Sequence, residues 1–143
     1  MKKGQFLATA VTIAQTATYT TLTPVLDVSR AKRCVLQATA TGEDAGAAAD
    51  VTFHIGAVVG DRSPVGGHST SDLTTVTVTM AGAGQKFGVP VLIDTDGMTG
   101  LELTSIVNAD AAKDALAVNL FFGLVPREGD ALTQSDSVLS GDA

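Results

Sequence analysis

The two histidines, His54 and His68, are the natural candidates for acid–base chemistry or metal binding in this chain. A catalytic histidine needs an orienting carboxylate and a nucleophile, and a histidine metal site usually has a short fixed spacing between ligands. His54 falls in an alternating apolar segment and His68 in a Gly/Ser-rich stretch, without an H-x-H or H-x-x-x-H pattern. We therefore predict no catalytic residue and no metal ligand. A small jelly-roll hydrolase stays open as a second alternative.

Two further segments superficially resemble ligand-binding loops. The DTDG segment at residues 94–97 offers the carboxylates of Asp94 and Asp96, but it lacks the further ligands and terminal Glu of an EF-hand. We predict a tight turn there and leave a weak surface calcium site open. The GAGQK segment at residues 82–86 does not match a P-loop, because Gln precedes Lys and a strand pattern follows. We predict a hairpin turn and no cofactor site.

The remaining acidic and thiol groups also point away from catalysis. Glu43, Asp44 and Asp50 share one loop region, but their spacing does not indicate the paired carboxylates of a glycosidase. The absence of Trp and the single Tyr remove the usual platforms for stacking on sugars. Cys34 is the only cysteine, which excludes an intrachain disulfide. Its place on the apolar face of a predicted strand indicates a small buried thiol.

The charge balance and the apolar runs exclude two classes of partner. The formal net charge of −6 argues against a nucleic-acid partner, since phosphate contacts need clustered Lys and Arg. No apolar run reaches the roughly 20 residues of a membrane helix. Lys2 and Lys3 precede a short apolar run that Thr9 and Thr12 interrupt. We therefore expect an N-terminal arm or a first strand there instead of a signal peptide.

The segment at residues 115–125 is the one around which the chain can be organised. Its even positions are large and apolar, and its odd positions are small, polar or mixed, which is the period of a strand with one face in a core. Phe121 and Val125 on the other face indicate that this face is also partly covered. We predict a central strand whose core face contains Leu116, Val118, Leu120, Phe122 and Leu124.

Similar alternation recurs along the chain and defines the fold class. Gly, Pro and Asp turns separate the alternating segments, and no helical pattern alternates with them. We predict an all-β fold, a single antiparallel β-sandwich or jelly roll of about seven or eight strands. Pro90 cannot donate a ladder hydrogen bond, so its strand is expected at an edge or bulge. The alternating segments are residues 32–41, 51–59, 73–80, 87–93 and 101–107.

The domain organisation is predicted to be simple. Residues 1–125 form the sandwich domain, with residues 1–5 as an N-terminal arm, and the chain length fits one domain with a substantial core. Residues 126–143 are acidic and without period, so we predict an extended or disordered C-terminal tail. Apolar side chains that fall outside the predicted core usually indicate an interface. The interface candidates are Phe121, Val125, Ile106, Leu92, Leu132, Val138 and Leu139.

The pattern over most of the chain resembles tailed-phage virion proteins, in particular small head decoration (cement) proteins with a β-sandwich or jelly-roll fold. This resemblance implies a non-enzymatic protein, made in the host cytoplasm, that binds between major-capsid subunits on the capsid surface and stabilises the head. It also implies a homotrimer with extended ends and no cofactor. The alternative is a neck, tail or fibre module that binds a receptor or glycan. The segments that carry the resemblance are residues 33–41, 51–59, 73–80, 89–94 and 103–108.

Overall fold

The computed structural model describes residues 2–20, 25–59 and 68–127, with side chains described throughout except at 68–72. These residues contain eleven strands and no helix, and the strands form two antiparallel sheets. Because the two sheets share one hydrophobic core, the all-β sandwich predicted from the sequence is confirmed. Sheet A consists of β1 (Lys2–Gln5), β2 (Val11–Ile13), β5 (Ala31–Gly42), β8 (Gly84–Phe87), β9 (Val91–Asp94) and β11 (Ala115–Pro126). Sheet B consists of β3 (Thr18–Tyr19), β4 (Val25–Asp27), β6 (Asp50–Val58), β7 (His68–Thr79) and β10 (Gly100–Asn108).

The two sheets follow the same plan, with two long strands at the centre. In sheet A, β11 pairs with β5, β1 and β2 follow one another along β11, and β8 and β9 follow one another along β5. In sheet B, β10 pairs with β6, β3 and β4 lie along β10, and β7 lies along β6. The predicted central strand, β11, is therefore central. The strand count exceeds the expected seven or eight because β1 to β4 are short pieces of two to four residues.

The inner face of β11 follows the predicted alternation over most of its length. Val118, Leu120, Phe122 and Leu124 are buried in the shared core. At the beginning of the strand, however, Ala115 is buried and Leu116 is only half-buried. The pairing register with β5 shifts between Leu116 and Asn119, and Ala117 within this bulge has a positive φ of 48°. A bulge inserts an extra residue and so reverses the phase of the alternation.

A second bulge corrects the prediction for Ile106. The register between β10 and β6 shifts between Leu103 and Ser105. Leu101 and Leu103 point into the core before this bulge, and Ile106 and Asn108 point into it afterwards. The expectation that Ile106 lies on an outer face is therefore wrong, because the simple alternation does not continue through the bulge.

The N-terminal residues, expected as an arm or a first strand, lie on the sheet. β1 pairs with β11 over four residues, from Lys2 opposite Leu124 to Gln5 opposite Phe121. Phe6 is fully buried, and its ring meets that of Phe122 edge-on, with the ring centroids 5.8 Å apart. Such edge-to-face pairs contribute about 0.5–1.5 kcal/mol beyond the area they bury.

The connections around β8 and β9 differ partly from expectation. Residues 80–83 join β7 in sheet B to β8 in sheet A, and residues 84–86 belong to β8. The segment at residues 82–86 is therefore part of a crossing between sheets and not the predicted hairpin turn. The crossing is tight, because a side chain at Gly42 would collide with the carbonyl oxygen of Gly82. Pro90 lies in the break between β8 and β9, at the edge of sheet A, as predicted.

Candidate interaction surface

The outer face of sheet A brings together three of the predicted interface residues. Phe121 and Val125 lie two steps either side of Gly123 on β11, and Gly123 is opposite Val35 on β5. Val35 is in turn opposite Leu92 on β9. Cross-strand partners share a face, and the residues flanking them point into the core, so these side chains point outward together. Phe87 of β8 is opposite Thr39, which lies on the same face of β5 as Val35 but four residues further along. We define the outer apolar patch as Val35, Phe87, Leu92, Phe121 and Val125.

Three members of this patch are extensively exposed for large apolar side chains, and the other two, Val35 and Val125, are half-buried. Leu92 is 61% exposed, Phe87 is 62% exposed and Phe121 is 40% exposed. Val89, in the break between β8 and β9, is 80% exposed. Scattered apolar side chains are normal on protein surfaces, but neighbours on adjacent strands form a contiguous area. An area of this kind is typical of an interface.

Charged side chains flank the outer apolar patch at two edges. Lys3 on β1 is exposed and lies opposite Gly123, on the far side of β11 from Val35. At the other edge, Asp94 ends β9 opposite Arg33 of β5. A groove of about 420 Å³ lies beside this pair. It is lined by Lys32, Arg33, Leu92, Asp94 and Asp96.

The DTDG segment is a tight turn, as predicted. The Asp94 carboxylate accepts a hydrogen bond from the backbone N–H of Asp96 at 3.0 Å, which is the geometry of an Asx turn. Thr95 is fully buried and its hydroxyl donates to the carbonyl of Ala31 at 2.7 Å. The Asp96 carboxylate lies 3.8 Å from the Arg127 guanidinium. In the described ranges, no cluster of three or more His, Cys, Asp and Glu residues could hold a metal ion.

The histidines are placed apart from each other. His54 is half-buried on the outer face of sheet B, where its backbone pairs with Ser105 and Thr75. The backbone of His68 pairs with Val58, four residues along β6 from His54. Four strand residues span about 13 Å, so the fold does not bring the two histidines into one site.

Cys34 is buried without exposure at the centre of sheet A. Burial disfavours the thiolate and raises the pKa of the Cys34 thiol to about 12. Because the thiolate is the reactive form, this cysteine is suited to packing and not to nucleophilic catalysis.

Asn108 belongs to a polar cluster at one end of the sandwich. The sequence pattern indicated only a polar connection in this region. Its buried side-chain amide donates to the carbonyl oxygens of Ile13 at 3.1 Å, Ala14 at 3.3 Å and Lys113 at 3.0 Å. Its side-chain oxygen accepts from the backbone N–H of Asp110 at 3.1 Å. These bonds tie two loops to the end of β10.

Asp110 extends this cluster to a third loop. Its carboxylate accepts backbone hydrogen bonds from Ala48 at 3.0 Å, Ala112 at 2.9 Å, Ala49 at 3.3 Å and Lys113 at 3.1 Å. These bonds, that from Ala48 first, lower the pKa of the Asp110 carboxyl to about 2. A carboxylate whose lone pairs are occupied in this way is suited to holding loops and not to transferring protons.

An ion pair lies beside this cluster. The Lys113 ammonium lies 2.6 Å from the Asp44 carboxylate, and this hydrogen bond lowers the pKa of Asp44. Both side chains are partly exposed, so the pair contributes little to stability.

Asn119 has a corresponding role in sheet A. It lies in the bulge of β11, is 3% exposed, and accepts from the backbone N–H of Leu7 at 3.2 Å while donating to its carbonyl at 3.1 Å. The side chain therefore replaces a strand partner for Leu7 between β1 and β2. Sequence alternation alone could not have indicated this role, since a polar residue at this odd position fits the alternation.

No protein-family model matches the chain, and a search of curated proteins gives no match. The interface candidates Leu132, Val138 and Leu139 lie outside the described residues. Within those residues, there is no helix with the length and apolar character to cross a membrane.

Proposed function

We propose that this protein is a non-enzymatic structural protein of a virion, a decoration (cement) protein that binds between major-capsid subunits and stabilises the head. The observation that carries the proposal is the outer apolar patch on sheet A. Its residues point away from the shared core, so the fold of one chain does not need them to be apolar. Contact with another protein surface would remove them from water.

The described polar groups support a binding role over catalysis. Asp110 is occupied by four backbone N–H groups, and Cys34 is buried. His54 is about 13 Å along the strand from the backbone partner of His68. An enzyme would need a nucleophile, a base and an orienting group within hydrogen-bond reach of one another. The groups described above are held in separate parts of the sandwich.

Apolar burial at this surface would contribute to attachment. Complete burial of a Leu, Val or Phe side chain contributes about 1.5–3 kcal/mol. The patch has five such side chains. Three of them are 40–62% exposed in the free chain, and Val35 and Val125 are half-buried, so each gains only part of that amount. In the proposed role, many copies on one particle multiply this contribution. The partners are other copies of this chain and a major capsid protein, on the capsid surface.

Particles from cells that carry this sequence would test the proposal. We expect the protein to sediment with DNA-filled heads in a density gradient, and antibody labelling to appear on the head. A Phe121→Asp variant should remain at the top of the gradient although its circular dichroism is unchanged. Thr75→Asp, on the exposed outer face of sheet B, is the matched control and should attach normally.

Two results would contradict this proposal. Wild-type protein that never sediments with particles would exclude a virion role. Labelling confined to the tail or fibres would favour the alternative, a receptor-binding or glycan-binding module.

A further inference from the structure

The part of the chain that the structure describes ends beside the groove at the edge of the outer apolar patch. The backbone N–H of Arg127 donates to the carbonyl of Arg30 at 3.0 Å, just before β5 begins. The guanidinium of Arg127 lies 3.8 Å from the carboxylate of Asp96, and Asp96 lines the groove. Residues 128–143, which we call the C-terminal segment, therefore begin next to this groove.

We propose that the C-terminal segment binds in this groove of its own chain, over Leu92, and shields the adjoining part of the outer apolar patch until a capsid partner displaces it. The shielding deepens the proposed function and rests on it, whereas the contact itself does not. Because the segment is covalently joined beside the groove, its effective concentration there is on the order of millimolar. A weak contact is then already populated, an advantage that no separate molecule has.

The C-terminal segment is long enough to reach Leu92. Leu92 lies opposite Val35, five residues along β5 from Arg30, so it is about 17 Å from the beginning of the segment. The segment has sixteen residues, which span up to about 50 Å when extended. It can therefore reverse its direction and still bring an apolar side chain over Leu92, which is 61% exposed. The apolar candidates are Leu132, Val138 and Leu139.

The charges around the groove favour an acidic occupant slightly. Three cations and two carboxylates lie there, namely Lys32, Arg33, Arg127, Asp94 and Asp96. The turn before β5 adds one charge of each sign and does not alter this balance. The C-terminal segment has four carboxylate side chains and neither Lys nor Arg. Since exposed ion pairs contribute little, we expect apolar burial at Leu92 to be the larger part of the contact.

Spin labelling of the full chain tests the contact. Ser140→Cys provides a labelling site in the C-terminal segment, while the buried thiol of Cys34 is protected in native buffer. In NMR spectra at low salt, the nitroxide should broaden the amide signals of Leu92 and Arg33 but not that of Thr75 on sheet B. When spin-labelled chain is mixed with isotope-labelled chain that has no nitroxide, these signals should stay sharp, because the contact is within one chain.

Substitutions in the spin-labelled chain separate the apolar and charged parts of the contact. The triple variant Leu132→Ser/Val138→Ser/Leu139→Ser should lose the broadening. Lys32→Glu should weaken the contact by about two- to fivefold, as expected for an exposed ion pair. The control is Lys86→Glu, which changes the net charge equally but lies opposite Ala40, towards the other end of β5. Equal effects of Lys32→Glu and Lys86→Glu would contradict binding in the groove.

The shielding is measured on particles. Without the nitroxide, the triple variant should saturate heads at a concentration about two- to tenfold lower than wild type, because its segment no longer competes for the patch. Its circular dichroism should be unchanged, since all three substitutions lie outside the two sheets described above. Equal attachment of the two proteins, when the wild type shows broadening, would overturn the shielding.

The remaining outcomes separate this inference from the proposed function. Spectra of the full chain without broadening, or broadening in the mixed sample, would overturn the contact within one chain. Attachment of such a protein to heads would leave the decoration role intact. Broadening with the expected effects of the variants, in a protein that never sediments with particles, would support the contact and contradict the decoration role.

Discussion

The outer faces of the two sheets differ although their inner faces are alike. Both sheets contribute fully buried Leu, Ile, Phe and Val side chains to the same core. On the outside, sheet B presents rows such as Ser105, His54 and Thr75, whereas the corresponding row of sheet A presents Val35 and Leu92. Among the described residues, the exposed large apolar residues of the sheet B region are Val59, directly after β6, and Leu73, two residues before Thr75 on β7.

This difference separates the requirements of folding from those of function. A β-sandwich needs one apolar face on each sheet, and the outer face can be polar and hydrated. The hydroxyl-rich outer face of sheet B is of this kind. Sheet A has the same inner face but an apolar outer one. The folding of one chain does not explain the outer apolar patch, so we attribute it to binding.

The largest effects on stability are expected from substitutions on the inner faces, where the two sheets are alike. Phe122→Ala in sheet A and Phe53→Ala in sheet B should each lower the free energy of unfolding by about 3–5 kcal/mol, because each leaves a cavity in the shared core. Urea denaturation followed by circular dichroism measures both. A loss below about 1 kcal/mol for either residue would mean that its sheet does not use that face as the core.

Substitutions of the buried asparagines should have intermediate effects on the free energy of unfolding, and these effects should differ between the two sheets. Replacing Asn119 or Asn108 by Ala leaves buried backbone groups without partners, at about 1–3 kcal/mol each. Asp should be tolerated better at 119 than at 108. Asn119 accepts two backbone hydrogen bonds, from Leu7 and Leu120, whereas Asn108 faces three carbonyl oxygens that would repel a carboxylate. Equal losses for Asn119→Asp and Asn108→Asp in urea denaturation would contradict the described hydrogen bonds.

Acid should weaken the loop cluster at the end of the sandwich. The pKa of Asp110 is lowered to about 2 in the folded protein. A lowered pKa means that the carboxylate stabilises the fold fully above its unfolded pKa of about 3.9, and that this contribution is lost as the pH falls through about 2. The difference in unfolding midpoint between wild type and Asp110→Asn should therefore be present at pH 7 and shrink between pH 4 and pH 2. A difference that does not change over this range would rule out the assigned role.

The smallest effects on stability are expected on the outer faces. Phe121→Ser and Leu92→Ser in sheet A should lower the free energy of unfolding by about 1 kcal/mol in dilute protein, because each side chain is partly exposed already. The control Thr75→Ser in sheet B should change it by about 0.5 kcal/mol or less. Only the sheet A variants should reduce the fluorescence of a dye that binds exposed apolar surface. Equal dye binding by all four proteins would remove the distinction between the two outer faces.

Sequence alternation predicted the fold class and the central strand because burial of one sheet face requires a period of two. It failed where the backbone inserts an extra residue. The phase was wrong for Leu116 and Ile106, each next to a bulge that no residue pattern marked. The order of strands across each sheet could not be predicted either, since it depends on contacts between residues far apart in the chain.

For the candidate surface, the sequence identified Phe121, Val125 and Leu92 as surplus apolar residues. It could not place them side by side, because their adjacency depends on β5 lying between β9 and β11. The loop cluster was missed for a related reason. Asn108 and Asp110 bind backbone groups of distant loops, and alternation carries no information about side chains that satisfy the main chain.

The buried thiol of Cys34 has a practical consequence. A thiol without exposure at the centre of sheet A can react with a soluble reagent only while that sheet is transiently open. The rate of labelling in native buffer, compared with the rate in urea, therefore gives the free energy of that opening at one defined position. Because Cys34 is the single cysteine of the chain, the unmodified protein already contains its own reporter of how firmly the sheet is closed.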